Sequence, residues 1–172
     1  MQYRSAHSTY QRNLLPTESL AALLRSCSWR AEKIYRARGR FDLVLWIAEH
    51  ADGQREVWET LCDNAPEAAS DAEILDHLAA EMRAEFAKRG VVRFAVAYAA
   101  NRVTVSRPVE QTYLLQPAEI RRAGVMLEAH GDGEHSCAFR EILKRPRQPT
   151  LAAPEPLTPG DSRYASMLGQ LV

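Results

Sequence analysis

Two Asp-Gly dipeptides, Asp52-Gly53 and Asp132-Gly133, each join two apolar, strand-like runs, and a capped amphipathic helix lies between them. Asp-Gly accepts the positive backbone angles of a tight turn, so each dipeptide marks an antiparallel hairpin. Residues 70 to 89 supply the helix. Ser70-Asp71-Ala72-Glu73 reads as a capping box, in which the serine side chain covers the Glu73 amide and Glu73 reaches back. Ile74, Leu75, Leu78, Ala79, Met82 and Phe86 recur at spacings of three and four. Lys88 and Arg89 sit where the helix dipole favours cations, and Gly90 supplies the left-handed stop.

The first hairpin is expected from Phe41 to Glu49 and from Gln54 to Leu61. With Asp52-Gly53 as a two-residue loop, Ala48 faces Val57 and Ile47 faces Trp58. One side then carries Phe41, Leu43, Leu45, Ile47 and Trp58, and the other carries Val44, Trp46, Ala48, Val57 and Leu61. Both sides are apolar, so both need a cover. A helix from Asp42 to His50 is the competing reading of the same apolar run.

A further helix is expected near the N-terminus. Pro16-Thr17 precedes Leu20, Leu23, Leu24, Cys27, Ala31, Ile34 and Tyr35 at helical spacing, with Gly39 as the stop after Arg38; a break in two at Ser26 and Ser28 is the alternative. Past Gly90, Val91 to Ala99 and Arg102 to Ser106 read as two strands, and Gly124 to His130 with His135 to Lys144 form the second hairpin. The expected fold class is therefore α+β. An antiparallel sheet of five to six strands is covered by helices in the order α-β-β-α-β-β-β.

Five prolines between Pro146 and Pro159 change the composition, and the segment reads as an extended linker. The organisation expected is a flexible segment at 1–16, one domain at 17–145, and a Pro-rich tail at 146–172. Asp161 or Ser162 caps a short terminal amphipathic segment there. Its Tyr164, Met167, Leu168 and Leu171 are the expected partner-binding anchors, either docked back on the body or inserted in a partner's groove.

In element order, residues 17 to 145 resemble roadblock-type and, more loosely, profilin-like domains. The resemblance implies helices covering a five-stranded antiparallel sheet that serves as a dimerising scaffold.

The formal net charge is zero, but it is segregated: eight basic and two acidic residues in 1–40, two and twelve in 41–86, twelve and eight in 87–172. Such a dipolar chain argues against nucleic-acid binding by whole-molecule charge. The simpler reading lays the basic first helix beside the acidic one. Arg36, Arg38 and Arg40, or Arg140, Lys144, Arg145 and Arg147, would be the local patches for phosphate. Cys27, Cys62 and Cys137 are odd in number and widely spaced, as suits a reducing cytoplasm. No signal peptide and no membrane-spanning run is read in the sequence, so a cytoplasmic protein is expected. Arginine outnumbers lysine 19 to 3, as in a GC-rich bacterial genome.

One constellation bears on chemistry. With Asp132-Gly133 as the loop, His130 pairs with His135 and Glu128 with Cys137, which puts Glu128, His130, His135 and Cys137 on one sheet face. Two imidazoles, a thiolate and a carboxylate suit zinc, in a structural site or in a small hydrolase. A three-residue loop would scatter the set. Cys137 as a nucleophile with a histidine base lacks an orienting third residue and an oxyanion hole. The expectation is a non-enzymatic interaction, adaptor or regulatory protein that binds a protein partner or itself, with no cofactor; zinc binding at the second hairpin is the alternative, and nucleic-acid contact a further one.

Overall fold

The structure is a computed structural model that describes residues 20–61, 70–106, 118–144, 148–158, 161–162 and 168–171. Its elements are α1 (Leu20–Arg38), β1 (Leu43–His50), β2 (Arg55–Leu61), α2 (Asp71–Arg89), β3 (Val91–Ser106), β4 (Ala118–Gly131), β5 (Glu134–Leu143), β6 (Thr150–Leu151) and β7 (Glu155–Leu157). The α+β class and the order α-β-β-α-β-β-β are as expected. The segments 1–16 and Cys62 lie outside the described residues.

The strands form one antiparallel sheet in the order β2-β1-β3-β4-β5-β6, with β7 also on β5. Because β1 lies between β2 and β3, the connection through α2 must cross over β1. That crossing places the α2 stripe on one sheet face, where Leu75, Leu78, Ala79, Met82 and Phe86 bury against Val44, Trp46, Phe94 and Val96. Phe86 meets Trp46 edge-on, with ring centroids 6.1 Å apart, and lies 5.1 Å from Phe94. The other face is covered by α1, whose Leu20, Leu23, Cys27, Ala31 and Tyr35 pack on Leu43, Leu45, Ile47, Val125 and Leu127.

Local chemistry sets the ends of both helices. Both halves of the Ser70 capping box form: Ser70 Oγ accepts from the Glu73 amide at 3.3 Å, and Glu73 accepts from the Ser70 amide at 2.8 Å. Gly90 closes α2 in the left-handed region at φ 67°. Helix α1 runs unbroken through its two serines, because Ser26 Oγ donates back to the Ala22 carbonyl at 3.0 Å without leaving the helix. The two helices lie on opposite faces, so the basic first helix does not lie beside the acidic one. Nearer partners take up the charge: Arg36 pairs with Glu32, Arg38 and Arg40 with Asp42, and Arg89 with Glu56 and Glu85.

The first hairpin is a strand pair and not a helix, but its register differs by one from the two-residue expectation. Ile47 pairs with Val57 and Trp46 with Trp58. Gly53 takes φ 81°, Asp52 Oδ1 accepts the Gln54 amide at 2.9 Å, and the loop becomes the three residues 51 to 53. Since side chains alternate, the slip exchanges the faces of β2: Val57 joins the α1 core, and Trp58 packs on the α2 side against Phe86.

Two further elements depart from expectation. Strand β3 is continuous through Ala99-Ala100-Asn101, because β4 pairs with it from Arg93 to Ser106. The segment after Lys144, expected as a linker, extends the sheet: Leu151 pairs with Ile142, and Glu155 to Leu157 pair with Phe139 to Cys137. Pro156 fits β7 as an edge strand, where the missing amide costs no ladder bond. Leu168 and Leu171 are buried in the α2-side core, while Tyr164 and Met167 lie outside the described residues. The body therefore continues past residue 145. Among the described residues, no helix is long and apolar enough to cross a membrane.

Leu168→Ala should destabilise the protein by about 2–5 kcal/mol in chemical denaturation, as for any fully buried leucine; an unchanged midpoint would place the residue outside the core. At Gly124, an added Cβ would lie 2.4 Å from the Phe139 ring and 2.4 Å from the Arg140 carbonyl oxygen. Gly124→Ala should lower the melting temperature, because the carbonyl belongs to the paired β5 backbone and cannot swing away.

Candidate functional site

The second hairpin closes as the sequence indicates. Asp132 (φ 55°) and Gly133 (φ 74°) both adopt positive angles, the two-residue loop forms, and His130 pairs with His135, Ala129 with Ser136 and Glu128 with Cys137. Even-numbered residues of β4 then face α2 and the C-terminal segment. Glu128 is fully buried there, His130 is 3% exposed, and their neighbours include Phe94 and Tyr98 of β3.

Glu128 organises the site. Its Oε1 accepts from the Tyr98 hydroxyl at 2.5 Å and from the Ser162 hydroxyl at 2.6 Å. Its Oε2 lies 3.2 Å from His130 Nε2 and 3.0 Å from His135 Nε2. Burial alone would raise the Glu128 pKa, but the bonds from His130, Ser162 and Tyr98 outweigh it and hold the carboxyl below its ordinary value. An ionised carboxylate only accepts, so in this arrangement both Nε2 atoms carry protons. His135 is pushed below its ordinary value by burial and by His130, against the pull of Glu128. The imidazoles stack with centroids 4.2 Å apart, and Phe94 stacks on His130 at 5.2 Å.

Three of the four expected ligands therefore converge: the donor atoms of Glu128, His130 and His135 all lie within 4.8 Å of one another. Cys137 shares the face but turns elsewhere. Its Sγ donates toward the Leu157 and Thr158 carbonyls at 3.5 and 3.4 Å. Burial, then Glu128 and Asp161, push the thiol up to about 11, so it stays protonated and is a poor nucleophile. Tyr98 and Ser162 complete the site and were not singled out from the sequence. Tyr98 is identifiable once β3 and β4 are aligned, whereas Ser162 comes from a segment that reads as tail.

A second feature lies on the α1 side. Helix α1 and the β5–β6 edge border a groove of about 400 Å³ lined by Leu24, Leu127, Leu151 and Pro154, with Arg25 and Arg36 at its margin. Trp29 stands at this groove 59% exposed, with the Lys33 ammonium 3.8 Å from its ring centroid. Trp46, by contrast, is fully buried. Arg140, expected from the sequence as a phosphate contact, forms part of the groove wall. It donates to Glu32 at 2.6 Å, to the Ser28 carbonyl at 3.1 Å and to the Ala152 carbonyl at 2.7 Å. With Arg36 on Glu32 and Arg38 and Arg40 on Asp42, neither expected basic cluster forms a free row among the described residues; Arg145 and Arg147 lie outside them.

The two depressed pKa values point the same way. For both Glu128 and His135 the fold favours the deprotonated form, so their contribution is complete above the unfolded pKa values and is lost as pH falls. Thermal stability measured in chelator should hold above the ordinary imidazole pKa of about 6.5 and decline as pH falls below it and His135 is forced to protonate, then further as Glu128 does. Tyr98→Phe should cost about 1.5–3 kcal/mol, as loss of a hydrogen bond to a charged group; no change would show that the hydroxyl does not hold the carboxylate. The chain matches no family model, no curated protein and no solved structure.

Proposed function

We propose that this chain is a non-enzymatic protein–protein interaction protein of adaptor or regulatory type, and that its partner docks in the groove between α1 and the β5–β6 edge. The observation that carries this reading is Trp29, a large aromatic left 59% exposed beside an apolar-floored groove. Tryptophan and arginine dominate binding hot spots, and an apolar floor with a charged rim is the usual anatomy of an interface. Arg25 and Arg36 at the margin favour a partner segment with acidic residues flanking an aliphatic or aromatic anchor.

The buried carboxylate supports a non-enzymatic reading from the other side of the sheet. Glu128 is fully buried, with Oε1 taken up by Tyr98 and Ser162 and Oε2 by His130 and His135, so neither oxygen is presented to a substrate in this arrangement. The free thiols of Cys27 and Cys137 favour a reducing compartment, the bacterial cytoplasm being the one proposed. Self-association remains within the proposal, since a second copy is one kind of partner. The C-terminal anchors do not serve it in this conformation, because Leu168 and Leu171 are occupied in the protein's own core.

Trp29→Ala should leave the melting temperature within about 1 °C of wild type and weaken partner binding about 30-fold or more, as for a hot-spot truncation. The check is capture on immobilised wild-type and variant protein, followed by titration of the recovered partner and by light scattering of the free protein for a dimer. Equal capture and the same mass for both would remove the groove from the interface.

A further inference from the structure

We infer that Glu128, His130 and His135 form a binding site for a divalent transition metal, best fitted to zinc, that fastens the C-terminal segment to the sheet. The ligand types are those zinc takes, two imidazole nitrogens and a carboxylate oxygen. Their spacing agrees. A tetrahedral ion bonded at about 2.0–2.1 Å has donor atoms about 3.3 Å apart, and Glu128 Oε2 lies 3.0 Å and 3.2 Å from the two Nε2 atoms. The three donor atoms lie within 4.8 Å of one another, and closing them to the tetrahedral spacing falls to His135, the most exposed of the three at 15% of its side chain. Each neutral imidazole binds the ion through Nε2 only as the tautomer with its proton on Nδ1, so the proton now shared with the carboxylate moves to Nδ1 by exchange with water and the ring stays neutral.

The surroundings carry the inference beyond a chance cluster of polar residues. Ligating carboxylates are held by their second oxygen, and here Oε1 of Glu128 is fastened by Tyr98 and Ser162 at 2.5 and 2.6 Å. Phe94 stacks on His130 and sets the plane of that ring. All three ligands stand on adjacent paired strands, so their backbones need not move. Cys137 is not a ligand in this assignment, since its thiol is engaged with the Leu157 and Thr158 carbonyls. Water takes the fourth position. Because Ser162 grips the ligating carboxylate, metal binding and docking of Ser162 reinforce each other.

The test uses the full chain, stripped with chelator and titrated with cobalt(II) chloride and then zinc(II) chloride. Wild-type protein should bind one cobalt per chain with the visible absorption of a tetrahedral centre, lose that absorption when zinc displaces it, and melt at a higher temperature with zinc than without. His135→Ala lies at the edge of the site and should stay folded by circular dichroism while losing binding at least 100-fold. Cys137→Ser should retain the full stoichiometry and the absorption. Tyr98→Phe, acting through Glu128, should weaken binding about 10- to 100-fold. Folded wild-type protein that shows neither the absorption nor the zinc-dependent rise in melting temperature would overturn the site. Undiminished binding by His135→Ala, or loss of binding in Cys137→Ser, would overturn this ligand set.

Discussion

Strand β1 is the element on which the rest of the structure depends, because it is buried on both sides. Leu43, Leu45 and Ile47 point to one face and Val44, Trp46 and Ala48 to the other, and each is nearly inaccessible to solvent. A strand of this kind is stable only as the centre of a sheet with a cover on each face. Helix α1 is one cover. The other is α2, and the crossing from β2 over β1 to β3 puts it there without a long connection on the far side. At about 25 cal/mol per Å² of apolar area removed from water, these two interfaces supply the main favourable term, against which chain entropy is set.

The α2 side is incompletely filled by α2. Toward the second hairpin its apolar residues give way to Glu128, His130 and His135, and the C-terminal segment closes this end with Ser162, Leu168 and Leu171. A buried carboxylate is costly unless its lone pairs are satisfied, and here four side chains do so. One of the four comes from the tail, so the polar cluster and the docking of the last residues depend on each other. The α1 side is different in kind: its polar partners, Arg140 with Glu32 and Ser28, sit at the margin, and beyond them the groove and Trp29 stay open.

Each hairpin shows how far a turn signal can be read. Both contain Asp-Gly, yet Asp132 enters the left-handed region and gives a two-residue loop, whereas Asp52 uses its side chain to bind the Gln54 amide and only Gly53 turns left-handed. Asp132-Gly133 is flanked by Gly131, whose Arg93 neighbour would lie 2.1 Å from any Cβ placed there, so close packing with β3 helps hold that loop in register. No comparable sequence mark separates the two cases at Asp52. A one-residue difference then decides whether Val57 or Trp58 faces α1, which is why the residues sharing a face of the second hairpin were legible and those of the first were not.

Local chemistry written in the chain determined the capped helix α2, the apolar stripe of α1, the existence of both hairpins, the two-sided burial of β1 and the convergence of Glu128 with His130 and His135. These depend on spacing and on neighbours within a few residues. Tertiary structure alone decided which face each helix covers, that β3 runs on through Asn101, that the Pro-rich segment becomes edge strands on β5, that Leu168 and Leu171 fill the core, and that Trp29 remains exposed while Trp46 is buried. Each of these depends on pairing or packing between residues far apart in the chain, and no local propensity encodes which distant surface a given side chain will meet.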